Sequence, residues 1–466
     1  MQKRKDWIYK WIGTRDFYNK VLYIAVPLII QQIITSFVNM LDNIMVGQTG
    51  TLPMSAVSIS NQLINIFNLA VFGSVAAASI FGAQFFGKED NQGVRNCLRF
   101  KLVTEGLIAI VFMAGLFFFG QNLVSLFLNP ATNTQENIHA TMQYALSYIN
   151  IMIIGFPAFA LSQCISSSMR EAGETRIPMI ASIIAVAVNF CGNSILIFGL
   201  FGFPALGATG AAIATVISRF AELGVILIGA KMNMDMFPFF RNVMQNFKIP
   251  GSLAKDIIVK GMPLVANEIL WSAGVAAIAQ CYSVRGIDAV ASYNITTTIE
   301  NLFFVFNIAI GDCISIMVGQ LLGAGKTEEA VGTDRRLIVF SFLVSIVLGL
   351  ILFLSAPVFP MLYNTTQAVR NDAAGMLRVY GLTLWISALY NSGYFTMRCG
   401  GKTVITFLFD SVGTIAVSFP IAFVLAHFTG MNIIAMYIVL HLIDLYKVIL
   451  GLFLVHKRVW VNDLVS

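Results

Sequence analysis

Charge is what this sequence has little of. Only 11% of its 466 residues are Asp, Glu, Lys or Arg, where a soluble domain carries roughly a quarter. A water-facing surface for a chain of this length cannot be built from so few charges. That excludes a soluble enzyme and a disordered chain. Cysteine is sparse as well: six residues (Cys97, Cys164, Cys191, Cys281, Cys313, Cys399), with no Cys-x-x-Cys pair. They spell neither a disulfide framework nor a zinc site, and in apolar runs a cysteine packs as a small hydrophobe. An apolar leader core is also missing. MQKRKDWIYKWIGTRDFYNK is too polar for one, and no small-residue cleavage site follows, so the first apolar run is expected to stay in the protein. Enzyme motifs are absent too. Leu322-Gly323-Ala324-Gly325-Lys326-Thr327 imitates the end of a phosphate-binding loop, but Gln320 stands where that loop requires glycine. There is no Asp-rich prenyl-diphosphate motif and no Gly-x-Ser-x-Gly elbow, so neither an enzyme nor a cofactor is expected.

Apolar residues are what the chain does have: 57%. A membrane span takes about 20 of them. Twelve runs qualify, near 21–46, 54–84, 101–120, 140–168, 178–202, 207–230, 257–284, 288–322, 337–356, 374–396, 403–427 and 432–455. The expected fold is an all-α polytopic membrane protein with both termini in the cytoplasm. Basic residues sort by side. The loops on the N-terminal side hold 24 of the 29 Lys and Arg, and the opposite loops hold only Arg285, Arg370 and Arg378. An error of one helix would destroy this alternation. The net charge of +6 is therefore a matter of topology and predicts no nucleic-acid partner. An inner, plasma-membrane location with lipid as the surrounding partner follows, and a monomer is expected.

The chain repeats itself. Pro27-Leu28 returns as Pro263-Leu264, and Gln84-x-x-Gly87 as Gln320-x-x-Gly323, both 236 residues on. Met169-Arg170-x-x-Gly173-x-Thr175 returns as Met397-Arg398-x-x-Gly401-x-Thr403 after 228. A polar stripe Asn61, Asn65, Asn68 matches Asn294, Thr298, Asn301 less well. The expected domains are an N-lobe over 1–230, an interfacial linker over 231–256, where Met and Phe alternate with basic residues, and a C-lobe over 257–466. Six helices per repeat bring both halves in from the same side, so an axis along the membrane normal relates two pseudo-symmetric bundles flanking a cleft.

Several pieces together resemble the MATE family, the multidrug and toxic compound extrusion transporters. They are Asp42-Asn43-Ile44-Met45-Val46-Gly47 after Pro27, the two Met-Arg-x-x-Gly-x-Thr loops, Ile197-Phe198-Gly199 through Phe203-Pro204-Ala205-Leu206-Gly207-Ala208-Thr209-Gly210, and Val318-Gly319-Gln320-x-x-Gly323. The resemblance covers nearly the whole chain. It implies export of organic cations and amphipathic drugs in exchange for H⁺ or Na⁺, by rocker-switch alternating access. It also implies that Asp42 pairs with an Asn-x-x-x-Asp motif in span 5. Here that motif reads Asn189-Phe190-Cys191-Gly192-Asn193, so Asn193 replaces the second acid. Other members use a span 7 glutamate with a span 10 aspartate. Glu268 fits the first, span 10 has no interior acid, and Asp410 in span 11 is the substitute.

An ionisable residue inside a span is costly and marks a functional position. Glu268 lies about eleven residues into span 7, among apolar neighbours. It is the first choice for binding a proton or a sodium ion. Its counterpart 236 residues earlier is Gln32. Asp42, Asp410, Glu300 and Asp312 are further coupling candidates, the last two about 18 Å apart on one helix. Gln32, Asn61, Asn65, Asn68, Trp271, Asn294 and Asn301 are expected to line the cleft. Arg219 with Glu222 and Asp444 with Lys447 are three residues apart and neutralise each other locally. Glu105, one turn from Lys101, is expected to snorkel to the interface. The alternative function is a lipid-linked-glycan flippase of the same superfamily. That would demand unpaired basic residues facing the cleft, which the spans lack. A channel is separated from a carrier by counterflow.

Overall fold

The computed structural model describes residues 11–128 and 134–465, with Asn39 and Met40 described by backbone alone. Twelve long helices follow one another, with no strand among the described residues. They are α1 (Arg15–Gly47), α2 (Thr51–Gly87), α3 (Asn91–Ser125), α4 (Gln135–Glu171), α5 (Arg176–Phe198), α6 (Ala208–Met232), α7 (Gly251–Ser283), α8 (Ile287–Gly323), α9 (Thr327–Ser355), α10 (Gln367–Cys399), α11 (Thr403–Phe428) and α12 (Ile433–His456). A helix stands at each of the twelve expected spans. Two of them start about ten residues early: α3 at Asn91 and α9 at Thr327. Their first turns are polar or charged, so hydropathy stops where the helix does not.

Eleven of the helices are apolar and long enough to cross a bilayer. The exception, α10, carries Thr383, Ser387, Asn391, Ser392 and Thr396, all buried, so its polar groups face protein and not lipid. The opposite pattern marks α3, which turns Leu107, Ile110, Val111, Phe117 and Phe118 outward. A helix that exposes its apolar side belongs in hydrocarbon. Thr134 and Thr366 cap α4 and α10 in the same way, each accepting a 3.3 Å bond from the third residue on.

The chain forms two compact units. One comprises Met1–Ile29, Ala83–Asp90 and Asp256–Ser466, the other Ile30–Gly82 and Asn91–Lys255. In the second unit, Phe67 stacks on Phe156 with centroids 4.0 Å apart, within a core drawn from α2 to α6. In the first unit, the early turns of α1 bury Val21, Ile24 and Leu28 against Ala309, Cys313 and Ile314 of α8. The same unit contains a reciprocal crossing of the Gln-x-x-Gly repeats. A Cβ on Gly87 would lie 1.9 Å from the Gln320 carbonyl oxygen, and one on Gly323 would lie 1.9 Å from that of Gln84. Only glycine permits this approach. The Gln84 amide also donates to the carbonyls of Cys399 (3.1 Å) and Asn462 (3.3 Å) and accepts from the Leu464 amide (2.8 Å).

The segment between the halves exposes Met232, Met236 and Met244 but is also anchored to the protein. Phe237 and Phe239 are fully buried. Arg99 of α3 donates to the carbonyls of Val243 (2.8 Å), Gln245 (2.6 Å), Asn242 (3.2 Å) and Lys248 (3.4 Å). Arg95 reaches the carbonyls of Phe239 and Pro238. Charge-assisted bonds to backbone help to organise this stretch.

One expectation is overturned here. Glu105 does not snorkel: it is buried and takes a bond from Ser74. Lys101 turns away from it to Glu171, with Ser167 and Ser168 hydroxyls at 3.0 and 3.2 Å. The end of α4 brings Glu171 to Lys101, so the four-residue reach along α3 is not used.

Candidate functional site

Each repeat builds a polar network inside its helices, and the two networks share three corresponding positions. In the first repeat, Gln31 of α1 donates to the Ser182 hydroxyl of α5 (2.8 Å), and Ser182 donates to Glu222 of α6 (3.0 Å). Glu222 forms a 3.3 Å ion pair with Arg219, whose guanidinium lies 4.7 Å from the centre of the Phe159 ring in α4. In the second repeat, Asn267 of α7 donates to Asp410 of α11 (3.0 Å). Asp410 faces the Lys447 ammonium of α12 at 4.0 Å, and Lys447 lies 5.3 Å from the centre of the Tyr390 ring in α10. Asn267 follows Gln31 by 236 residues; Asp410 follows Ser182, and Lys447 follows Arg219, by 228. These are the offsets of the sequence repeat, so the two halves place polar side chains at the same three positions. The difference lies in the acid: Ser182 in one half becomes Asp410 in the other.

The second network is the denser. Ser411 donates to the Asn267 side-chain oxygen (2.6 Å) and so holds the amide with its nitrogen toward Asp410. Lys447 donates to Thr414 (3.1 Å) and pairs with Asp444 at 3.4 Å. The backbone is distorted around it. α11 widens into π turns at Leu408–Val412 and Thr414–Ser418, and α12 breaks at Asp444 between Ile433–Ile443 and Leu445–His456. Wide turns of this kind concentrate at functional positions. Glu268 follows Asn267 and is half-buried; the charges acting on it are Arg398 and Asp410.

Asp42 stands apart from the first network, in the later part of α1. Asn193 of α5 donates to it at 2.5 Å. With its amide oriented to satisfy both ends, Asn189 also donates to Asp42 (2.9 Å) and accepts from the Thr215 hydroxyl of α6 (3.1 Å). Among the described residues no Lys or Arg forms an ion pair with Asp42; its contacts are neutral amides. Beside Thr215 lies a cavity of about 30 Å³ lined by Phe67, Asn68, Phe156, Phe159 and Arg219, room enough for water.

Other predicted residues fall elsewhere. Asn61, Asn65, Asn294 and Asn301 are exposed within their helices, and Asn68 is half-buried at the cavity. Gln32 is exposed, while its neighbour Gln31 makes the network bond. Trp271 is 40% exposed. Glu300 has one carboxylate oxygen buried without a hydrogen bond. It is half-buried on α8, as is Asp312. The residues that sequence reasoning missed are Gln31, Ser182, Thr215, Asn267, Ser411 and Thr414. Applying the 228 and 236 offsets to every polar residue inside a span would have found the first, second and fourth.

Comparison with known proteins supplies the context. A family model described as MatE matches residues 27–195 and again 263–424. The chain is 23% identical over 423 residues to a probable multidrug resistance protein NorM of Thermotoga maritima, covering 91% of this chain and 89% of that one. It is 25% identical over 422 residues to the probable multidrug resistance protein YoeA of Bacillus subtilis, covering 89% and 88%. Among solved structures, a MATE protein in complex with MaL6 superposes with a TM-score of 0.84 at 17% identity, over 97% of this chain and 98% of that one. A MATE transporter of Vibrio cholerae gives the same score and identity over 95% and 97%.

Proposed function

Because the chain belongs to the MatE family of multi-pass membrane transporters, we propose that it is a secondary antiporter exporting organic cations and amphipathic drugs in exchange for H⁺ or Na⁺. The two lobes, 1–230 and 257–466, alternate access by a rocker switch. The observation that carries this reading is Asp42. This carboxylate inside a span is held by an amide and forms no ion pair among the described residues, which leaves its charge available to an incoming cation. Relatives named as multidrug resistance proteins support the cargo class. The basic residues within the spans speak against an anionic diphosphate cargo, since Arg219 and Lys447 are each already engaged by an acid.

Glu268 and Asp42 divide the coupling. An ion shifts the balance of two conformations only through its different affinity for each. Glu268 is the principal carrier, because it meets no internal ammonium or guanidinium at ion-pair distance among the described residues and sits beside the denser network. The test is reconstitution in liposomes, with ΔpH and ΔNa⁺ imposed separately and a cationic dye followed. Glu268→Gln should still bind dye while losing the gradient response, and Asp42→Asn should lose less. Full coupling in Glu268→Gln together with none in Asp42→Asn would reverse the assignment. No gradient-driven dye movement in the unaltered protein would refute the antiporter reading itself.

A further inference from the structure

We propose that Lys447 is a tethered cation that fills the Asp410–Asp444 site and closes it to free sodium. The proposal deepens the antiporter reading, on which it rests, by naming what the second acid cluster does and does not bind. The geometry is that of an occupied cation site. The ammonium is 4.0 Å from Asp410, 3.4 Å from Asp444 and 3.1 Å from the Thr414 hydroxyl, and the Tyr390 ring covers it at 5.3 Å. The Lys447 side chain is only 5% exposed. Oxygen donors of this kind, carboxylate and hydroxyl, are what a hard monovalent cation requires. Here a covalently attached charge supplies the cation instead.

Three further observations bear on it. Asn267 is locked by Ser411 and gives its nitrogen to the second Asp410 oxygen, so Asp410 is aimed at the ammonium by donors that cannot serve as sodium ligands. The π turns in α11 and the break in α12 at Asp444 bring the two acids to either side of one lysine. Finally, the first repeat carries Arg219 at the corresponding position, again against an acid and over a ring. A cation at this place in the last helix of each repeat is therefore a built feature and not an accident of one helix. Because the ammonium remains on its chain, it can be displaced but not diluted away. Free sodium must compete with a ligand at very high local concentration.

The consequence is a gain of function on removing the lysine. The experiment uses the full chain purified in detergent, and reads the unfolding midpoint in sodium chloride against choline chloride of equal ionic strength. The unaltered protein should show no sodium response that Asp410→Asn removes. Lys447→Gln should gain a rise of about 2 °C or more at saturating sodium, lost again on adding Asp410→Asn. Lys447→Arg should behave as the parent. If Lys447→Gln does not fold, Lys447→Gln/Asp444→Asn removes one charge of each sign and should show the same gain through Asp410. An Asp410-dependent sodium response in the parent overturns the proposal. So does a folded variant lacking Lys447 with no sodium response. The readout is binding and not transport. A protein that gains sodium binding as expected but moves no dye would leave this proposal standing and remove the antiporter reading.

Discussion

Lys101 offers the sharpest test of the packing argument. It sits fully buried against Glu171, whose side chain is 5% exposed, with two serine hydroxyls completing its shell. Lys101→Met removes the ammonium and breaks the buried ion pair of Glu171. Breaking such a pair costs about 3–5 kcal/mol, whereas replacing both partners costs far less. Glu171 has no room to escape, since a Cβ on Gly82 would lie 1.9 Å from its carboxylate oxygen. An unfolding entropy of about 2.1 cal/mol/K per residue gives roughly 1 kcal/mol/K for a chain of this length, so the midpoint should fall by about 3–5 °C. Lys101→Met/Glu171→Gln removes both charges while keeping the glutamate's shape. It should recover most of the loss, and the coupling between the two sites should approach the cost of the single change. The assay is thermal unfolding of purified protein followed by intrinsic fluorescence. A single variant that unfolds at the parental temperature, or a double variant that loses the sum of two single losses, would refute the reasoning.

The remaining predictions concern the seam, the topology and the linker. Gly323→Ala places a methyl on the Gln84 carbonyl oxygen and should cost about 1–3 kcal/mol or more. Gly332→Ala, with nothing within 4 Å, should leave the midpoint unchanged or raise it; equal midpoints for the two variants would count against the seam. Single cysteines at Thr134 and Asn364 should react with an impermeant maleimide added to intact cells, and failure of both would invert the proposed orientation. Arg99→Ala removes four charge-assisted bonds to the 242–248 backbone. Limited trypsinolysis there should speed up by about 10–100-fold, the change expected for losing about 1.5–3 kcal/mol of local protection; an unchanged cleavage rate would mean that the buried phenylalanines alone hold the segment.

Hydropathy and the basic-residue alternation made the twelve helices and their order legible, because both are local properties. The ends of α3 and α9 were not, since a helix can outlast its apolar stretch in water. The Asp42–Asn193 contact followed from a family spacing. The Asn267–Asp410–Lys447 network did not, for two reasons. Asp444 and Lys447 satisfy the three-residue rule within α12, and that local reading conceals the reach of the same ammonium to α11. Glu268 drew attention because it is charged, while the network bond belongs to its neutral neighbour Asn267. Hydrogen bonds between distant helices leave no trace in periodicity; only the duplication offsets carry them.

The crossing of Gln84–Gly87 with Gln320–Gly323 has a consequence of its own. Each motif presents a carbonyl to the other's glycine and a glycine to the other's carbonyl. That is an isologous contact, the self-complementary kind found at the two-fold axis of a homodimer, held within a single chain. A half-length ancestor bearing one such motif already possessed a surface that fits its own copy. Fusion of two copies then needed no new interface at this point, only a connector. It also froze the pair: a side chain gained at either glycine damages both halves at once, so the two motifs have to drift together or not at all.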